Sequence, residues 1–289
     1  MKCNYFQQLD GGTVECQLCP HHCRIADGKT GVCRSRRNRH GVLYSEVYGK
    51  PCALAIDPVE KKPLYHFHPG TKCLSVACTG CNFRCLNCQN HDISQAAPDQ
   101  VPHYRLSPRQ LVEVCEEHHC PGIAYTYTEP LTYIEYVTEA ARLAHEHGLW
   151  NILVTAGYVC NEPLADLLPY LDAANVDLKS FSDEIYQRVS GGRLQTVLNT
   201  ILAMRDAGVW IELTNLVIPG INDDMEMIRS MCRWMADNGL AGAPLHFSRF
   251  FPQYRMNDIA PTPVETLRQA QRVALDEGIK HVYLGNVRS

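Results

Sequence analysis

From Lys72 onward the chain alternates short apolar runs with amphipathic helical stretches, and that alternation leaves few folds open. The apolar runs fall at 72–78, 122–128, 151–156, 175–180, 210–218 and 244–250. Helical periodicity falls near 108–119, 131–147, 162–172, 194–207, 223–238 and 263–277. The last helix opens on Pro261, Thr262 and Pro263 and stops at Gly278, which are ordinary start and stop signals. Continuously apolar runs are strands buried on both faces, and strands separated by helices pair in parallel. Such units over about 215 residues predict an α/β fold, a partial (βα)6 TIM-like barrel over 71–289, with one more short strand in "HVYLGN". No glycine-rich turn follows the first strand, which argues against a doubly wound dinucleotide sheet. In barrels the chemistry gathers at the C-terminal strand ends.

Residues 1–70 differ in character. They are rich in Gly, Pro, His and Cys and too poor in apolar periodicity to build a core alone, so they predict a small ligand-stapled module. Within it "GVLYSEVYG" alternates like a short strand. The chain has fifteen cysteines, yet its opening "MKCNYFQQLDGG" has neither an apolar core nor a cleavage site for export. Clustered cysteines in a reducing compartment are metal ligands sooner than disulfides, which points to the cytoplasm. A formal charge of −4 gives nucleic acid no electrostatic hold, and "RSRRNRH" (34–40) reads as a solvated basic turn. No apolar run is long enough to span a membrane.

The first barrel strand runs into "CTGCNFRCLNCQN", with Cys78, Cys81, Cys85 and Cys88 inside eleven residues. Thiolates this close, in one loop, are ligands of an iron–sulfur cluster or of zinc. Zinc usually takes ligand pairs from separate loops, whereas Cys81, Cys85 and Cys88 suit one cubane with its fourth iron unassigned. Cys78 sits in the strand itself and reads as a buried apolar cysteine.

The spacing Cys81-x3-Cys85-x2-Cys88, with an aromatic residue before the second cysteine, resembles the signature of the radical S-adenosylmethionine superfamily. The resemblance implies a [4Fe–4S] cluster on those three cysteines, its open iron chelating S-adenosylmethionine. One-electron cleavage then gives methionine and a 5′-deoxyadenosyl radical that abstracts hydrogen from a substrate. It also implies further cofactor contacts at the strand ends: Thr128 and Glu129 of "TYTEP", Gly157 of "VTAGY", and Asp177 and Lys179 of "DLK". Pro219 of "LVIPGIND" and His246 and Arg249 of "PLHFSRFFP" complete the set. Each has an ordinary structural reading beside it: a helix-capping Glu129, an Asp177–Lys179 ion pair, and a turn at 219–223 that caps the next helix. Three residues apart, His246 and Arg249 would face opposite sides of an ideal strand.

Across most of its length the chain resembles the AmmeMemoRadiSam group, described as pyruvate formate-lyase activating enzyme-like. The resemblance rests on "CQLCPHHCRIADGKTGVCRSRRN", "DPVEKKPLYHFHPG", "GCNFRCLNCQNHDISQ" and "TYTEP", in that order. Two departures stand out: longer members continue into a further cysteine-containing tail, and this chain lacks the Gly-Pro-Gly type entry segment of authentic glycyl radical activases.

A second constellation, Cys16-x2-Cys19-x3-Cys23-x9-Cys33, supplies four thiolates and therefore a closed site. Three close ligands, one remote and a Pro after the second resemble ferredoxin-type ligation, so an auxiliary iron–sulfur cluster is expected ahead of zinc. His21 and His22, His66 and His68, and His118 and His119 read as surface residues, as do His145 and His147. Tyr125, Tyr127 and Tyr158 read as packing near the barrel mouth, and 91–107 as a covering loop. The expected partners are S-adenosylmethionine, an unidentified substrate, and an electron donor such as flavodoxin or ferredoxin. An activase that installs a glycyl radical on a partner protein is the second reading, and a non-catalytic zinc-binding protein the third.

Overall fold

The computed structural model describes residues 1–287; Arg288 and Ser289, the end of the stretch predicted as barrel, lie outside the described residues. The chain begins with two small antiparallel units. β1 (Phe6–Gln8), β2 (Val14–Cys16) and β3 (Arg24–Ile25) form one, and the hairpin of β4 (Arg36–Arg39) and β5 (Val42–Ser45) forms the other. β5 is the strand expected in "GVLYSEVYG". β6 (Pro51–Pro58) then leaves this region and pairs antiparallel with β7 (Lys72–Cys78), Pro51 opposite Cys78 and Pro58 opposite Lys72.

β8 (Gly122–Tyr125), β9 (Trp150–Thr155), β10 (Ala173–Asp177), β11 (Trp210–Val217), β12 (Leu245–Arg249) and β13 (Val282–Gly285) follow. They pair in chain order, every neighbouring pair from β7 onward being parallel. The α/β expectation therefore stands. "HVYLGN" supplies the expected further strand, which pairs with β12, and the N-terminal segment adds an eighth, antiparallel strand to the seven parallel ones. Among the described residues no pairing joins β13 to β6, so the barrel is open on that side.

The helices α1 (Pro108–Glu117), α2 (Ile134–Glu146), α3 (Asn161–Leu167), α4 (Leu194–Asp206), α5 (Met225–Asp237) and α6 (Val264–Asp276) follow β7 to β12 in turn. Their starts are chemically marked. Ser107 accepts from Gln110 N while the Gln110 side chain returns to Ser107 N at 2.9 Å, and Asp224 accepts from Met227 N at 2.8 Å. α3 stops short of its predicted end because Pro169 lies ahead, and the chain tightens into a 3₁₀ turn, Leu168–Tyr170. No helix among the described residues is long and apolar enough to cross a membrane.

The segment 57–70 lies across the N-terminal strand ends. Asp57 receives Lys61 Nζ (2.7 Å), Lys62 Nζ (2.6 Å), Ser75 Oγ (2.7 Å) and the Tyr127 hydroxyl. Further along, Tyr65 N and His66 N donate to Glu212 at 2.9 and 2.8 Å, and the His68 ring stacks on Trp150 at 3.8 Å. His66 is half-buried against His281 and Tyr283, which corrects its surface expectation. Glu212 is fully buried and also takes His246 Nε2 (2.7 Å) and Trp210 Nε1 (3.2 Å), so four donors fill its oxygens. Burial works against its charge, but His246 and the other donors hold its pKa below the ordinary carboxylate value.

Glu212→Ala strands these donors in the interior and is expected to cost about 3–5 kcal/mol, read by urea unfolding at pH 7. Because the folded-state pKa is lowered, the contribution is present at neutral pH and lost as pH falls through that pKa. The gap between wild type and variant should therefore narrow once the pH is below roughly 4; a gap that persists there would contradict the charge-based account.

Candidate functional site

At the C-terminal end of β7 the loop bearing Cys81, Cys85 and Cys88 is pinned by backbone bonds to a short π-helical turn, Tyr186–Ser190. Arg84 N donates to Ser190 O (2.8 Å) and Leu86 N to Val189 O (3.0 Å). Gly192 makes room for the loop: a Cβ there would sit far inside the van der Waals surface of the Phe83 ring. All three cysteines are unpaired and half-buried. Phe83 N donates to Cys81 Sγ at 3.3 Å, and Cys88 Sγ lies 3.1 Å from Ser94 Oγ. Burial raises the pKa of the Cys81 thiol, and the nearby Glu129 charge raises it further. Burial also raises Cys85, but Lys179 and Ser190 oppose the shift. Cys78, by contrast, is fully buried within β7.

Glu129 and Lys179 follow two other parallel strands, β8 and β10, on the same side of the sheet. Glu129 is buried, and its oxygens accept from Thr155 Oγ1 (2.6 Å), Leu131 N (3.1 Å) and Ala156 N (2.8 Å). It does cap the following turn, and among the described residues its Oε2 accepts only from Ala156 N. Burial raises its pKa against those donors. Lys179 Nζ is 2.6 Å from Asp177 Oδ2, both side chains about one-third exposed or less at 26% and 35%. Burial would lower the Lys179 pKa, but Asp177 and Cys85 raise it overall, so the ammonium stays charged. A cavity beside the pair is lined by Asn87, Lys179, Tyr186, Ser190, Ile218 and Asn222.

The other predicted positions are less central. Thr128 Oγ1 donates to Cys78 O (2.7 Å) and so ties β7 to the loop after β8. Gly157 has φ 68°, and a Cβ there would press Val176 and Thr200 at 3.3 and 3.4 Å, which explains the residue by packing. Pro219 is half-buried in its turn, and Arg249 Nε donates to Thr262 O (2.7 Å) at the end of β12. His246 is a correction: it points to Glu212 among buried side chains near the strand starts, away from the cysteine loop. Sequence reasoning missed Thr155, Ala156 and Asn222. Asn222 was visible only as a turn residue, but its amide bridges Lys179 O (2.7 Å) and Leu216 O (2.9 Å). The predicted covering loop is tied to the β6 edge by Tyr104 N to Pro51 O and Leu106 N to Gly49 O.

The second constellation lies beside the first. Cys16, Cys19, Cys23 and Cys33 line one small cavity together with Arg36 and Asn82. Val32 N lies 3.5 Å from Cys23 Sγ and Ser35 Oγ donates to Cys33 Sγ at 3.2 Å. Burial pushes the Cys16 thiol up to about 11. Among the described residues no three Cys, His, Asp or Glu groups converge at the spacing of a single ion. His21 is half-buried, with Nε2 2.9 Å from Asn82 O and its ring 5.1 Å from Tyr158, and so is no surface residue. Tyr158 is likewise packed between His21 and Phe83.

Residues 75–232 match the family described as the radical SAM superfamily. The chain is 46% identical over 283 residues to an uncharacterised protein of Methanocaldococcus jannaschii, covering 98% of this chain and 84% of that one. It is 24% identical over 220 residues to pyruvate formate-lyase 1-activating enzyme of Escherichia coli, covering 71% and 89% respectively. Among solved structures, a radical SAM methyltransferase from Sphaerobacter thermophilus matches 99% of this chain and 77% of that one. Its TM-score is 0.55 at 13% identity, a likeness of fold alone.

Gly192→Ala should push Phe83 out of its seat and cost about 1–3 kcal/mol by overpacking. Thermal unfolding of the metal-free chain checks the stability. Faster alkylation of Cys81 and Cys85 than in wild type would show that the cysteine loop has been released.

Proposed function

The chain belongs to the radical SAM superfamily, and from that premise we propose that Cys81, Cys85 and Cys88 are the ligands of its [4Fe–4S] cluster. The family implies that cluster and S-adenosylmethionine, and the chain is an enzyme of this class. Bound together, the two groups supply a 5′-deoxyadenosyl radical for hydrogen abstraction. The residues present fit them: three soft, unpaired thiols in one loop, with a backbone N–H directed at Cys81. The observation that carries the reading is convergence at one barrel end: Thr128 Oγ1 donates to Cys78 O and Asn90 Nδ2 to Tyr127 O, which ties the cysteine loop to the turn bearing Glu129.

Glu129, whose Oε2 accepts only from Ala156 N among the described residues, would take the methionine ammonium. Asp177 and Lys179 would orient the polar groups of the same ligand, and the Ile218 to Asn222 turn would flank it. The four-cysteine cavity would hold an auxiliary iron–sulfur cluster, for which it offers an all-thiol donor set. The electron is proposed to come from a flavodoxin or ferredoxin type of donor. A reducing compartment such as the cytoplasm suits fifteen free cysteines. The substrate is open. Its reading as a protein glycine is favoured by one observation, the relative named pyruvate formate-lyase 1-activating enzyme along 71% of this chain.

Anaerobic reconstitution, reduction and addition of S-adenosylmethionine should yield 5′-deoxyadenosine from wild type and none from Cys85→Ala. Product from both, or from neither despite a reduced cluster, would count against the assignment. Glu129→Gln should raise the KM for S-adenosylmethionine by roughly 10- to 100-fold, the worth of a charged hydrogen bond of about 1.5–3 kcal/mol. An unchanged KM would remove Glu129 from the binding role.

A further inference from the structure

Both chain neighbours of Cys81 touch the four-cysteine module. On one side stands Gly80, with φ 109°; a Cβ there would lie 2.5 Å from Cys33 O and 3.3 Å from Ser35 Cβ. On the other side stands Asn82, which is 2% exposed and forms part of the cavity wall beside Cys19 and Cys23. Its carbonyl meets His21 Nε2, its amide donates to Tyr158 O at 2.8 Å, and its Oδ1 is buried without a partner among the described residues.

The cavity contains a second unspent polar group. Arg36 is 1% exposed, and it donates through Nε to Thr132 O (3.1 Å) and through Nη2 to Glu135 Oε2 (2.5 Å). Its Nη1 is buried with no partner among the described residues, in the wall shared with Cys16 and Cys33. An unpaired guanidinium N–H costs free energy unless something in the cavity accepts from it. A thiolate-ligated anionic centre is such an acceptor, and a cation nearby favours the more negative, reduced form of that centre. The surface side of the cavity is Cys23, the most exposed of the four, with Arg24 next to it in the chain, solvent-exposed and paired with Glu15 at 3.1 Å.

Resting on the auxiliary-cluster reading above, we propose that the four-cysteine site is the electron entry to the Cys81 site. Asn82 is the bridge between them, and Arg36 is the positioning residue that stabilises the reduced state. An acidic one-electron carrier of the flavodoxin or ferredoxin class loses one electron at the Cys23 face. That electron passes to the Cys81 side, and no bond is made or broken in the transfer. The short contacts at Gly80 and Asn82 are what this role requires, and a purely structural staple would need neither the contact with both neighbours of Cys81 nor the unpaired Arg36 nitrogen.

The test uses the full chain, reconstituted anaerobically with iron and sulfide. The Cys81→Ala, Cys85→Ala, Cys88→Ala triple variant should keep about half the iron and show a one-electron reducible EPR signal. Zinc in its place, or no reducible signal, overturns the proposal. In that triple background Arg36→Gln should move the midpoint potential to more negative values and Arg36→Lys should restore it; an unmoved potential removes Arg36 from the role. In wild type both reduced centres should give a spin-coupled spectrum, and a simple sum of two isolated signals overturns the coupling. Cys19→Ala, Cys33→Ala should slow reduction of the Cys81 site by flavodoxin by roughly tenfold or more while leaving reduction by dithionite unchanged. Gly80→Ala, which keeps every cysteine, should weaken the spin coupling, and it serves if the double variant folds poorly. Equal flavodoxin rates in wild type and Gly80→Ala together with the double variant overturn the entry role. Formation of 5′-deoxyadenosine by the double variant under dithionite keeps the catalytic reading standing on its own, whichever way the entry role falls.

Discussion

The antiparallel pairing of β6 with β7 is the constraint on which the other features depend. Its register sets Pro51 beside Cys78 at one end and Pro58 beside Lys72 at the other. The first end delivers the N-terminal module to the side of the cysteine loop. The second starts the segment 57–70 on its course across the strand starts, where it meets Glu212 and Trp150. Slipping this pairing by one residue would turn Asp57 and its lysines to the opposite face of the sheet. Asp57 would then lose Ser75 and Tyr127, and the mouth and the floor would be misplaced together.

Buried charged groups are expensive, and this fold holds several. Arg36 with Glu135, Lys62 with Asp57, and His246 with Glu212 are each almost wholly buried. A buried pair of this kind contributes little net stability against an apolar replacement, but breaking one costs several kcal/mol. Their effect here is therefore specificity of position. Arg36 ties the hairpin to the turn before α2 and to α2 itself, and Asp57 with Lys62 holds the phenol of Tyr127, two residues before Glu129. Tyr127 takes φ 66°, an uncommon conformation for a bulky residue, and its carbonyl accepts from Asn90 at 2.7 Å. The strained turn is thus fixed from below by Asp57 and from above by the cysteine loop.

How much of this was legible in the chain follows from how local each signal is. β7 ends where its apolar run ends, because a strand buried on both faces writes its whole length in one residue class. The start of the last helix was readable from Pro261, Thr262 and Pro263, a local signal that acts within the first turn. β6 was not read as part of the sheet, since an antiparallel edge strand with a half-exposed pattern carries Pro, Cys and Asp among its apolar residues. Cys81, Cys85 and Cys88 stand out by spacing, whereas Arg36 finds Glu135 ninety-nine positions away and Asn82 finds Tyr158 seventy-six away. His246 looked like a strand-end ligand because composition does not say that Glu212, on the adjacent strand, already claims it.

The sheet's strands, from β6 to β13, stand in the order in which the chain presents them. Every pairing closes one hairpin or one strand–helix–strand unit, so the loop entropy lost at each step is that of a short segment. Contacts of this kind favour rapid, sequential assembly, each new strand docking on an edge that already exists. Both groups of cysteines precede β8 to β13 in the chain and so leave synthesis before those strands. The loop after β7 can therefore meet its neighbouring module before the later strands arrive, and the far edge at β13 is the last to be laid down.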